Sequence, residues 1–207
     1  MADPARSSVR CFVGLPLPDA WQRGLDALVQ SLAGRLASRV SWTRPGNWHV
    51  TLMFLGEVEQ ARLPGIIAAL RGVDFAPVRL RLGGSGFFSQ RGAPRTLWVG
   101  LAEGGEACAR LAGAVNRALA PCGCAPEARN FRPHVTLGRV KQAREGDGWA
   151  AAGREVEQRL LDTAFAPVLA GEMLLWSSVL GQLGPKYAML KSFPARDHGG
   201  SPDGRTA

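Results

Sequence analysis

The stretch His49-Val50-Thr51-Leu52, which follows Trp48, recurs as His134-Val135-Thr136-Leu137, which follows Pro133. Two of the chain's three histidines are used in these two copies. Side chains of a strand alternate between its faces, so each copy presents His and Thr on one face and Val and Leu on the other. The Val/Leu face is suited to a core. The other face pairs an imidazole, whose ordinary pKa of about 6.5 lets it give or take a proton near neutrality, with a hydroxyl able to donate a hydrogen bond. One isolated His-x-Thr is more simply an ordinary half-buried strand. A second copy in the same chain turns the reading toward chemistry.

The repetition extends beyond the motif. Phe12-Val13-Gly14-Leu15 precedes the first copy and Trp98-Val99-Gly100-Leu101 precedes the second at nearly equal spacing, each with a helical stretch in between. Two related lobes, each strand, helix, strand, account for this. If the lobes face one another about a pseudo-twofold axis, both His-Thr pairs converge on one small group.

Composition bounds what that group can be. The chain has 207 residues, of which 46% are hydrophobic, enough for a real core. No uninterrupted apolar run has the length of a membrane span, and Met1 to Ser8 lacks the apolar segment of a secretory signal, so a cytoplasmic protein without a membrane partner is expected. Cys11, Cys108, Cys122 and Cys124 show no C-x-x-C spacing and read as reduced and structural. His198 lies in a polar tail, so a three-histidine metal site is not expected, and neither is any cofactor. The net charge of +8 raises the prospect of a polyanionic partner. Two runs free of acidic residues carry the arginines: Phe75 to Ala102, with Arg79, Arg81, Arg91 and Arg95, and Ala128 to Arg144, with Arg129, Arg132, Arg139, Lys141 and Arg144. Such runs are equally what a solvated surface provides, but the second flanks a motif.

Residues 1–8 read as disordered, residues 9–194 as one bilobal domain and residues 195–207 as a disordered tail. Strands are expected at Val9–Leu15, Val40–Arg44, Trp48–Leu55, Val78–Leu82, Thr96–Leu101, His134–Val140, Val168–Val179 and Tyr187–Phe193. Helices are expected from Asp19 through Leu36, over Glu59–Leu70 with Pro64 tolerated in its first turns, over Glu106–Leu119, and around Glu155–Leu161. The Gly-rich segment after Leu82 reads as a turn, Ser89 to Pro94 as a loop carrying Arg91, and Gln142 to Gly153 as a surface loop.

These residues resemble the 2H phosphoesterase superfamily, in particular the RNA 2′,3′-cyclic phosphodiesterases, also called 2′-5′ RNA ligase-like proteins. The resemblance spans Arg10 to Pro194 and rests on His49-Val-Thr-Leu-Met-Phe-Leu-Gly56 and Phe131-Arg-Pro-His-Val-Thr-Leu-Gly-Arg139. It implies an α+β, bilobal, pseudo-twofold fold with two antiparallel sheets lining a central groove and helices outside. It implies hydrolysis of RNA 2′,3′-cyclic phosphate ends to 2′-phosphates, with His49 as proton donor to the departing O3′ and His134 as base for water. Thr51 and Thr136 would hold phosphate oxygens, without a metal, in a monomer acting on RNA or nucleotides. By the same similarity Arg139 looks like a phosphate-contacting arginine, and Phe54, at the matching place in the first lobe, could stack on a base or simply pack. Strict alternation would turn both away from the histidines; a bulge or strong twist must redirect them, or they are surface and core. Ligation to a 5′-hydroxyl, which uses the same acid and base, and a non-turning-over RNA-binding module are the alternatives.

Overall fold

The computed structural model describes residues 8–90, 93–125, 131–181 and 184–196. Arg91, Arg129 and His198 lie outside them. The described chain forms nine strands: β1 (Ser8–Pro16), β2 (Arg39–Trp42), β3 (His49–Glu59), β4 (Val78–Gln90), β5 (Ala93–Glu103), β6 (His134–Gln142), β7 (Val168–Ala170), β8 (Glu172–Gly181) and β9 (Gly184–Pro194). Four helices accompany them: α1 (Asp19–Ala33), α2 (Leu63–Arg71), α3 (Gly105–Leu119) and α4 (Trp149–Arg159). Every pairing is antiparallel, in the order β7-β4-β5-β6-β3-β1-β8-β9, and β2 adds to β6. The fold is α+β.

Its two half-sheets meet at a single residue pair, Val50 opposite Val135. Both valines are fully buried, and the apolar face they belong to is covered by helices. The stripe of α1 anticipated from spacing, Trp21, Leu25, Leu28, Val29 and Leu32, is buried, as are Leu111, Val115 and Leu119 of α3. α3 lies against β3 and α4 against β4. Burial of these side chains, at roughly 1.5–3 kcal/mol each, holds the helices to one face of the sheet and leaves the other face for the cleft.

The half-sheets are related by more than their motifs. In each, the motif strand takes an extra residue three places after its histidine: Met53 faces Val13 and Thr51 faces Gly14, and likewise Gly138 faces Leu97 and Thr136 faces Trp98. Leu52 and Leu137 are these extra residues, and β3 takes a further one at Leu55, between Phe54 facing Phe12 and Gly56 facing Cys11. The recurrent aromatic-Val-Gly-Leu phrase does not superpose in this pairing, because Gly14 lies opposite Thr51 whereas Gly100 lies opposite His134. The offset is two residues, an even number, so the same faces still point inward.

Several elements differ from their sequence-based expectation. The glycines after Leu82 do not turn the chain but run within β4: Gly86 lies under the Trp98 indole, where a Cβ would come within 2.5 Å of the ring, and Gly84 has φ +72° at a register shift. The expected helix at Glu59 opens with a 3-10 turn over Gln60–Arg62, and α2 proper starts one residue before Pro64, whose missing N–H costs nothing in a first turn. The expected loop to Gly153 ends at Trp149, where α4 begins, and the expected strand Val168–Val179 breaks at Gly171 so that β7 pairs with β4 while β8 pairs with β1. At the edges of the domain Ser8 already belongs to β1, and the backbone N–H groups of Ala195 and Arg196 bond to the carbonyls of Gly171 and Phe75. Among the described residues no helix is long and apolar enough to cross a membrane.

Gly14→Ala is expected to destabilise the protein by about 1–3 kcal/mol, because the added methyl would sit 2.6 Å from the Val50 carbonyl oxygen at the seam. Gly65→Ala, with nothing within 4 Å of the new Cβ in α2, is expected to be neutral or stabilising by up to about 1 kcal/mol. Urea denaturation of both variants checks the contrast.

Candidate active site

Antiparallel passage of β3 past β6 puts His49 on the Thr136 side of the seam and His134 on the Thr51 side. All four side chains are half-buried, between the buried residues of the two strands. His49, Thr51 and Thr136 line one cleft, and His134 is close enough that its charge acts on His49. The bulges at Leu52 and Leu137 determine what else enters. Because Leu52 and Met53 are both buried, Phe54 emerges on the histidine face, 42% exposed; because Leu137 and Gly138 are both buried, so does Arg139. Both line the cleft.

The two histidines are anchored alike. Nδ1 of His49 donates to the carbonyl oxygen of Asn47 at 2.7 Å, and Nδ1 of His134 donates to the carbonyl oxygen of Arg132 at 2.7 Å. A carbonyl can only accept, so these bonds fix the neutral tautomer with its proton on Nδ1 and its basic lone pair on Nε2. The loop carrying Asn47 is held in turn: Gln22 of α1 accepts from the Gly46 N–H at 2.9 Å and donates to the Trp48 carbonyl at 2.8 Å. The Asn47 side chain donates to the Pro185 carbonyl at 2.9 Å, tying the β8–β9 hairpin to the cleft rim. In the second lobe the Arg132 guanidinium lies 4.3 Å from the centre of the Trp98 ring.

A family model described as LigT-like phosphoesterase matches residues 15–98 and again 99–187, one His-x-Thr motif in each segment. The chain belongs to the LigT-like phosphoesterase family. It is 31% identical to an RNA 2′,3′-cyclic phosphodiesterase of Archaeoglobus fulgidus, over 89% of this chain and 99% of that one, and 34% identical to one of Aeropyrum pernix, over 74% and 85%. Among solved structures, the TT0787 protein of Thermus thermophilus is similar with a TM-score of 0.67 at 27% identity, covering 90% of this chain and 98% of that one. The E. coli LigT structure complexed with 3′-AMP has a TM-score of 0.69 at 20% identity, covering 91% and 99%, and supports the fold.

The two lobes of this LigT-like chain treat their histidines differently. His49 stacks on the buried ring of Phe12, with centroids 4.6 Å apart, and meets the edge of Tyr187 at 5.4 Å and the tilted ring of Trp176 at 5.5 Å. His134 has the edges of Phe88 at 4.8 Å and Trp98 at 6.4 Å. Burial among the rings pushes His49 down to about 4; the Asn47 carbonyl opposes that shift, and the charges of His134 and Arg139 add to it. Tyr187 lines the cleft as well, and its hydroxyl is raised by burial.

Phe12, Trp176, Tyr187 and Asn47 were not identified as site residues from sequence. Tyr187 is the chain's single tyrosine, a signal of a kind, but the contribution of Asn47 and Arg132 to the histidines is a main-chain carbonyl, which no residue type announces. Among the described residues no three or more His, Cys, Asp or Glu side chains gather closely enough to hold a metal ion.

His49 takes up its proton near pH 6.5 when unfolded and near 4 when folded, so between those values the unfolded state binds more protons and stability rises with pH. Acidification from about pH 6.5 to about 4 is therefore expected to cost the wild type more stability than a His49→Gln variant. Urea midpoints of both proteins across that range measure the difference, which should stop growing below about pH 4.

Proposed function

We propose that this protein hydrolyses 2′,3′-cyclic phosphate ends of RNA to 2′-phosphates. The observation that carries the reading is the pair of Nδ1-anchored imidazoles on one face of the seam, each beside a threonine of the opposite lobe. A cyclic phosphodiester needs a base to take a proton from attacking water and an acid to give one to the departing ribose oxygen. Phosphorus bound between the lobes has one imidazole on each side, which is what in-line displacement requires. Names of relatives at about 30% identity support the same reaction.

In this reading water attacks phosphorus and gives a proton to Nε2 of His134, the bond from phosphorus to O3′ breaks, and Nε2 of His49 protonates O3′. The assignment of acid and base follows the family resemblance and makes a demand on His49, which is neutral at pH 7 in the open cleft. The phosphodiester anion meets it: a negative charge beside a buried imidazole favours the imidazolium, so substrate binding brings the acid's proton with it. Thr51 and Thr136 donate to the non-bridging oxygens, Arg139 offsets the charge that builds on them, and Phe54 offers its exposed face to a base.

His49→Ala and His134→Ala are each expected to lower kcat by about 10²–10⁴ while the circular dichroism spectrum is kept, and Thr51→Ala or Thr136→Ala to have smaller effects. Near wild-type turnover in either histidine variant would end the two-histidine mechanism. Phosphorus NMR of the product should show a 2′-monophosphate. A 3′-monophosphate would reverse the direction of opening.

A further inference from the structure

We infer that RNA upstream of the terminal cyclic phosphate leaves the cleft over β2, with Arg39 holding the next phosphodiester; this rests on the proposed reaction at the cleft. β2 has no counterpart on β3: it pairs only with the outer part of β6, placing Ser41 opposite Arg139 and Arg39 opposite Gln142. Ser41 and Arg139 both line the cleft. Arg39 lies two residues from Ser41 on the same strand face, both exposed, and thus about 6.8 Å further out, commensurate with one nucleotide of extended backbone. The register shift between Arg39 and Val40 leaves Lys141 as the extra residue on β6, exposed beside that path.

Charge distinguishes this exit from the opposite one. Among the described residues Arg39, Arg44, Arg139 and Lys141 form no ion pair with a carboxylate. Asp147, which approaches the start of β2, accepts from the backbone N–H groups of Ala37 and Ser38 at 2.8 and 2.7 Å, so its charge is directed at the loop. On the first lobe Phe54 and Tyr187 line the cleft, with Phe12 and Trp176 packed behind them; Arg10 there lies directly across from Glu57, and Lys186 stands singly on the β8–β9 hairpin rather than in a row. A polyanion follows the row of cations without a carboxylate opposite, and the flat rings of the other wall suit a base.

The test compares a trinucleotide ending in a 2′,3′-cyclic phosphate with the corresponding nucleoside 2′,3′-cyclic monophosphate, using the full chain and its Arg39→Gln variant. The ratio of kcat/KM for trinucleotide over mononucleotide should fall about three- to tenfold in Arg39→Gln. It should be unchanged in Arg110→Gln, a control on the far side of α3. In the wild type, log kcat/KM for the trinucleotide should decline with log salt more steeply than for the mononucleotide, and Arg39→Gln should reduce that slope by about 0.7, the loss of one single-strand phosphate contact. An unaltered ratio and slope would overturn the β2 path while leaving the reaction intact. Absence of turnover of both substrates by the wild type would instead remove the reaction itself.

Discussion

The site depends on one backbone pairing, Val50 against Val135, the point at which two four- and five-stranded halves become one sheet. Side-chain alternation makes that pairing decisive. With both valines turned into the core, the neighbours of each must turn outward, and the antiparallel sense sets each histidine beside the threonine of the other lobe. A one-residue slip would bury the histidines and expose the valines, at the cost of stranding polar nitrogens in an apolar layer. Core packing and site geometry are thus two faces of one constraint. The tolerance for change at the seam is correspondingly small, as the close approach of Gly14 to the Val50 carbonyl indicates.

The bulges at Leu52 and Leu137 are the second device. Each adds a residue to a motif strand, and each brings the fifth residue after the histidine back to the histidine's face. The lobes use the place differently. In the first it is filled by Phe54; in the second it is filled by Arg139, with Gly138 before it because β2 packs there, where a Cβ would lie 2.7 Å from Val40 and 2.9 Å from Trp42. Duplicated backbone geometry therefore carries unlike chemistry, an aromatic on one wall and a cation on the other.

Asymmetry extends to the histidines themselves. Equal anchoring through Nδ1 fixes the same tautomer in both, yet Phe12, Tyr187 and Trp176 enclose His49 more fully than Phe88 and Trp98 enclose His134. Desolvation penalises the imidazolium at His49. In the proposed reaction the negative charge of the bound phosphodiester offsets that penalty, so the charge of the site would depend on its being filled.

The sequence by itself marked the two His-Thr pairs as candidates on one strand face each, the repetition of the lobes and the stripes of α1 and α3, because these are carried by strict local periods of two and 3.6 residues. It also posed the question of Arg139 and Phe54 without answering it, since a bulge is a relation between two strands and leaves no mark in either alone. Other features were decided only by the tertiary structure. Gly83 to Gly86 became strand because Trp98 and Ala102 needed their side-chain space; the break at Gly171 divided one apolar run between two half-sheets; and the Asn47 and Arg132 carbonyls oriented the histidines through groups that every residue possesses. A local pattern records which face a side chain takes, whereas what stands opposite that face depends on residues distant in the chain, and so it is fixed only when the chain is folded.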